Sequence, residues 1–75
     1  MTPTELIHFE AAHPGNNSDK ETTLRNLGIA PARYYQLLSR AAHSVEGITA
    51  DPVTARMVRD RAARGAERRQ KRTAA

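Results

Sequence analysis

The segment NLGIAPARYYQLLSRA, residues 26–41, contains a helix stop and a helix start only a few residues apart. Gly28 follows a leucine, in the position where a helix commonly ends in a left-handed residue. Pro31 comes three residues later, and proline is favoured at the first position of a helix. Two helices joined by about three residues through a glycine form a helix-turn-helix unit. The stretch therefore predicts a helix that ends at Leu27, a tight turn, and a second helix from Pro31 to about His43.

Apolar residues on both sides of this turn predict how the two helices pack. They recur at the steps of three and four residues that mark a buried helix face: Leu24, Leu27, Ile29, Tyr34 and Leu37. Tyr34 and Tyr35 are neighbours in the sequence, so they cannot point the same way on a helix. We therefore expect Tyr34 in the core and Tyr35 on the surface.

Two earlier positions carry helix-capping signals. Thr2, Pro3 and Glu5 combine a capping box with a proline at the first helical position. Ser18 and Glu21 repeat the capping-box spacing. The sequence thus predicts one helix that starts after Thr2 and another that is capped by Ser18.

The chain after His43 is predicted to form a loop and then one long helix. We expect residues 43–50 to be a loop with Gly47 as its hinge, and we expect Asp51 and Pro52 to open the last helix. The residues of that helix expected to pack on the body are Val53, Met57 and Val58.

The predicted fold class is all-α, a small bundle of three to four helices that contains the helix-turn-helix. A chain of 75 residues forms one domain at most. We place the helix-turn-helix domain at residues 1–64. The apolar pattern fades after Gly65, so we expect residues 65–75 to be a basic, flexible tail that frays.

Charge is distributed unevenly along the chain. Residues 1–50 carry four basic and five acidic side chains, a net charge of −1. Residues 51–75 carry eight basic and three acidic side chains, a net charge of +5. This asymmetry is typical of proteins that bind polyanions, and nucleic acid is the first candidate. The alternative is a solvated tail that maintains solubility.

Composition argues against several other classes of protein. The chain has no cysteine, which excludes disulfides and cysteine-based metal sites and suits a reducing compartment. No apolar run approaches the roughly 18 residues of a membrane-spanning helix. The N-terminus also lacks the pattern of a signal peptide. We expect a soluble, cytoplasmic protein with no membrane partner.

The polar residues show no catalytic or metal-binding pattern. The histidines match no zinc-site spacing, and the acidic residues are scattered, so we interpret both as surface or capping residues: His8, His13, His43, Glu5, Glu10 and Glu46. Ser18 and Ser39 have no evident base partner, and so small a chain offers little concavity for a pocket. We predict that the protein is not an enzyme and holds no metal and no cofactor.

A helix-turn-helix places its second helix in the major groove of DNA, which is about 12 Å wide. The residues of that helix expected to face DNA are Ala32, Arg33, Tyr35, Gln36 and Arg40. Arginine can bind guanine through two hydrogen bonds, and glutamine can bind adenine in the same way. The residues of the basic end expected to meet phosphate are Arg64, Arg68, Arg69, Lys71 and Arg72. The predicted function is binding of double-stranded DNA, as a small transcriptional regulator or a nucleoid-type binder.

Two segments carry a resemblance: LGIAPARYYQLLSRA and, after a short interval, DPVTARMVRDRAARGAERR. They resemble a small family of unknown function that is found in actinobacteria and their phages, and the resemblance covers roughly residues 2–69. It implies helix-turn-helix DNA binding, with its most recognisable segment at residues 33–37. The chain departs from the family pattern at Ala30, where a serine or threonine cap is expected; an alanine cap costs roughly 0.5–2 kcal/mol.

A protein-binding module is the alternative function. The same helical body could dock on a host transcription or replication protein, with Tyr35 and the exposed face of the second motif helix as the centre of the interface. Many helix-turn-helix proteins act as symmetric dimers. The sequence shows no dimerisation zipper, so a homodimer is possible and the oligomeric state stays open.

Overall fold

Five helices make up the fold. The structure, a computed structural model, describes the backbone of residues 1–15 and 17–74 and, within these, the side chains up to Arg68. The helices are α1 (Pro3–Ala12), α2 (Ser18–Asn26), α3 (Pro31–Ala42), α4 (Val45–Ala50) and α5 (Pro52–Ala74). No residue in these described ranges lies in a strand. The predicted all-α bundle is confirmed, with one helix more than the three or four expected.

The first two helices begin at capping residues. At α1, the backbone N–H of Glu5 donates to the Thr2 hydroxyl at 3.1 Å, and the Thr2 N–H donates to the Glu5 carboxylate at 2.9 Å. That backbone hydrogen bond from Thr2 lowers the pKa of Glu5. At α2 the prediction was wrong by one residue, because Asn17 is the cap and its side chain accepts from the Lys20 N–H at 2.8 Å. Asparagine and serine cap about equally well, so the sequence could not separate them.

The turn between α2 and α3 is the one that the sequence predicts. Gly28 has a φ of 81°, a left-handed conformation that favours glycine. The N–H of Ile29 donates back to the Leu24 carbonyl at 3.0 Å, which closes the turn. Leu27 was expected to face inward, and this is wrong, since it is 56% exposed. Half-buried Ile29 packs against the core beside Leu24 instead.

The core lies where α1, α3 and α5 meet. Its buried apolar members are Leu6, Ile7, Leu24, Tyr34, Leu38, Ala41, Ala42, Ala55 and Val58. Of the three α5 residues expected to pack on the body, Val58 does so, but Val53 and Met57 are exposed. The reason is helical phase: Ala55 and Val58 share the inner face of α5, and Val53 and Met57 fall on the opposite side.

The segment predicted as a loop forms α4. Its cap is Ser44, whose hydroxyl accepts from the Gly47 N–H at 3.0 Å. Gly47 is buried inside this short helix and is not a hinge. A Cβ at this position would lie 2.0 Å from the Ala41 carbonyl oxygen, so only glycine allows α4 to approach the end of α3 this closely.

The last helix is longer than the sequence suggested. Asp51 caps it as predicted, accepting from the Thr54 N–H at 3.1 Å and the Thr54 hydroxyl at 2.9 Å. The helix does not end near Gly65 but continues to Ala74. Alanine, glutamate, arginine, glutamine and lysine dominate that end; they are strong helix formers and extend a helix that has already nucleated. The flexibility of residues 65–75 stays a prediction.

Candidate nucleic-acid interface

One face of α3 is turned away from the core. Ala32, Arg33, Gln36 and Arg40 are exposed, whereas Tyr34 lies on the buried face of the same helix. The spacing of the four exposed residues places them on one continuous strip of the helix surface. We call this strip the outer face of α3. All four belong to the set predicted to face DNA.

Tyr35 lies at the edge of the outer face rather than on it. The residue is half-buried, not fully exposed as expected, and burial raises the pKa of its hydroxyl. Its ring lies 5.1 Å from that of Tyr34, and the Lys20 ammonium lies 5.4 Å from its ring centre. These contacts hold the aromatic ring against the body, so at most one side of Tyr35 faces solvent.

The start of α3 has no side-chain cap. Ala30 takes the extended conformation of an N-cap residue, but its methyl group cannot accept a hydrogen bond from the first turn. Pro31 follows at the first helical position, as predicted. The helix therefore relies on proline and on the burial of Tyr34 and Leu38 to fix where it begins.

The arginines with described side chains divide into two groups. Four have a partner: Arg25 pairs with Glu21, Arg56 pairs with Asp60, Arg59 donates to the Ala42 carbonyl, and Arg61 pairs with Glu10. The other four have no hydrogen bond or ion pair with any residue in the described part of the chain: Arg33, Arg40, Arg64 and Arg68. All members of this second group were predicted to contact DNA.

Two of the four unpaired arginines lie on α5. Arg64 and Arg68 are exposed in the second half of α5, which continues to Ala74. Three other predicted phosphate contacts lie outside the residues whose side chains the structure describes: Arg69, Lys71 and Arg72.

A buried charged cluster lies beneath this surface. Glu10 is 2% exposed, and its carboxylate accepts from the Lys20 ammonium at 2.5 Å, the Tyr34 hydroxyl at 2.8 Å and the Arg61 guanidinium at 3.2 Å. Lys20 is also buried, and it donates to the Gly15 carbonyl at 2.9 Å. Burial, reinforced by the hydrogen bond to Glu10, strongly raises the pKa of the Tyr34 hydroxyl.

The burial of this cluster was not expected from the sequence. Glu10 was interpreted as a surface or capping residue, which is wrong, because it holds α1, α2, α3 and α5 together. The signal was in the spacing: Glu10 follows Leu6 and Ile7 on the apolar face of α1, and Lys20 precedes Leu24 by one turn. Opposite charges on two apolar helix faces are the pattern of a buried ion pair.

Residues 2–70 match the protein family DUF3263, which is described as a protein of unknown function. The chain belongs to DUF3263. The matched region includes the turn, the whole outer face of α3 and α5 up to residue 70. No curated protein and no solved structure matches the chain.

The described part of this DUF3263 protein shows neither a metal-binding cluster nor a membrane-spanning helix. Over the described residues, no group of three or more histidine, aspartate or glutamate side chains is arranged to hold a metal ion. Within the same ranges, no helix has the length and hydropathy needed to cross a membrane.

Proposed function

We propose that this DUF3263 protein binds double-stranded DNA, with α3 in the major groove and α5 against the phosphate backbone. One observation carries the proposal: each described arginine that lacks a partner within the described part of the chain lies on the outer face of α3 or on the exposed end of α5. An unpaired, solvated guanidinium can bind a phosphate or a guanine without first breaking an internal ion pair.

Arg33 and Gln36 are the residues we assign to base contacts. They lie one turn apart near the start of α3, the part of a recognition helix that contacts base edges. Arg40 follows Arg33 by seven residues on the same face and would contact a base or phosphate further along the groove. Tyr35 is half-buried, so we assign it a smaller part at the edge of the contact.

The two helices that carry the basic surfaces meet at one groove. Tyr35 and Ser39 of α3 line a groove together with Arg61 and Gly65 of α5. Gln36 adjoins Tyr35 on α3, and Arg68 shares the side of α5 that carries Arg61 because it lies two turns further on. DNA against α3 would therefore have the α5 arginines within reach of its backbone.

We assign a binding role rather than a catalytic one. The role would be that of a small transcriptional regulator or a nucleoid-type binder, and the family resemblance would place it in an actinobacterium or a phage. A homodimer on paired half-sites would strengthen an otherwise small contact surface.

Fluorescence anisotropy with a labelled duplex at several salt concentrations tests the proposal. If five or six phosphates are neutralised, log K should fall against log salt with a slope of about −5, from roughly 0.9 per phosphate. An affinity that does not change with salt, or no binding to any duplex at low salt, would contradict it.

Paired variants separate the two contact types. Arg33→Ala with Gln36→Ala should reduce the preference for selected sequences over random ones, because it removes base contacts. Arg64→Ala with Arg68→Ala should weaken binding to all sequences alike and make the salt slope shallower by about 2. The charge-matched control is Arg25→Ala with Arg56→Ala, which removes two exposed but paired arginines and should leave binding nearly unchanged.

A further inference from the structure

A groove lies on the surface between α3 and α5. It measures about 510 Å³ and is lined by Tyr35, Leu38, Ser39, Val58, Arg61, Ala62 and Gly65. Its position differs from that of the outer face of α3, whose exposed residues point away from the body.

The floor of the groove is apolar and preformed. Leu38 and Val58 form its base, and both are also part of the core. Ala62 and Gly65 continue the inner face of α5 after Val58, at steps of four and three residues. Because these two residues are small, α5 leaves space here that a larger residue would fill.

The rim of the groove is cationic. Arg61 uses one terminal nitrogen for Glu10, and its side chain is still 40% exposed, so further N–H donors face solvent. Arg64 and Arg68 continue that side of α5. The acidic residues Asp60 and Glu67 lie two turns apart on a neighbouring face, and no residue that lines the groove is acidic.

We propose that this groove binds an acidic peptide segment of a partner protein, through one bulky apolar side chain on the floor and carboxylates on the arginine rim. An apolar floor beside a cationic rim favours a peptide that carries both apolar and acidic side chains. A DNA backbone presents phosphates and sugars but no bulky apolar side chain that could enter the groove over Leu38 and Val58. A purely apolar peptide would leave the arginine rim unmatched. Since Arg64 and Arg68 also serve the proposed DNA contact, the peptide and DNA would compete in part.

Selection from a phage-displayed library of random dodecapeptides, using the full chain as bait, tests this proposal. We expect enriched peptides to combine a leucine or aromatic residue with two or more acidic residues. The variants Ala62→Leu and Gly65→Leu fill the groove. Each should lower the affinity of the chain for a synthetic copy of an enriched peptide by about tenfold or more, the equivalent of roughly 1.4 kcal/mol. The control Ala63→Leu, at an exposed position of α5 that does not line the groove, should bind the peptide as the unmodified chain does.

Three outcomes would overturn the proposal. The first is that no peptide is enriched, and the second is that enriched peptides lack acidic residues. The third is that both groove-filling variants, shown to be helical by circular dichroism, still bind the peptide fully. If the same variants instead lose affinity for the duplex and no peptide is enriched, the groove belongs to the DNA contact.

Discussion

The carboxylate of Glu10 joins four helices through three hydrogen-bonding partners. Lys20 is buried with it, and the described side chains contain no buried nitrogen or oxygen without a partner. A satisfied buried ion pair can be close to neutral for stability, but removal of one partner leaves an uncompensated charge in the interior. The cluster therefore specifies how α1, α2, α3 and α5 come together more than it adds stability.

Glu10→Gln should destabilise the fold by about 3 kcal/mol, because Lys20 and Arg61 then lack their counter-charge. Urea unfolding followed by circular dichroism measures this loss. Glu67→Gln is the control, since Glu67 is exposed, and its effect should stay within about 0.5 kcal/mol. A Glu10→Gln variant as stable as the unmodified chain would show that the cluster does not hold the helices.

Tyr34 should make the fold sensitive to alkaline pH. Its pKa is raised in the folded chain above the ordinary value of 10.0, so its contribution to stability is fully present below pH 10.0 and is lost as the pH rises further. Ionisation of Tyr34 can be followed by the absorbance of its phenolate in the variant Tyr35→Phe, where Tyr34 is the remaining tyrosine. We expect Tyr34 to ionise together with the loss of helical circular dichroism. Ionisation near pH 10 in a chain that is still helical would contradict its burial against Glu10.

Among the helices, α4 depends on one close contact, which Gly47 makes with the end of α3. Helix propensity alone predicts that Gly47→Ala stabilises a helix by about 1 kcal/mol. The structure predicts the opposite sign, because the new Cβ would lie 2.0 Å from the Ala41 carbonyl oxygen. We expect a loss of about 3 kcal/mol, at the upper end of the usual cost of overpacking.

Thermal unfolding of Gly47→Ala and Gly28→Ala checks this expectation. A Cβ at Gly28 would project into open space, with no neighbouring side chain or backbone within 4 Å, so its variant should lose only the roughly 1 kcal/mol cost of a left-handed alanine. A more stable Gly47→Ala variant would mean that α4 does not approach α3 as the structure has it.

The elements show which parts of the fold can be predicted from sequence. Capping residues and the Gly28–Pro31 pair act locally, so the starts of α1, α3 and α5 follow from a few neighbouring residues. Gly47 could not be interpreted correctly, because its role depends on Ala41 reaching it in space. The inward residues of α5 were also misjudged, since its phase is set by the small Ala55 rather than by the larger Val53 and Met57.

Across the whole molecule, charged side chains form an interior set around Glu10 and an exterior set on α3 and α5. Arg61 and Lys20 neutralise Glu10 inside the bundle. The unpaired arginines of α3 and α5 remain outside. The sequence predicted the exterior set, because helical spacing alone identifies the face opposite Tyr34. It could not predict that the interior set is buried, or that a groove forms, because both depend on how separate helices meet.

An amide-resolved NMR titration of the full chain with a DNA duplex at low salt is the sharpest test of whether α3 contacts DNA. We expect the amides of the outer face of α3 to shift in proportion to added DNA, together with those around Arg64 and Arg68. The outer-face residues are Ala32, Arg33, Gln36 and Arg40. The amides of α1 should stay in place, and the shifts should shrink as salt is raised. Shifts confined to α1 and α4, or no shifts on any duplex at low salt, would contradict the claim that α3 is a recognition helix.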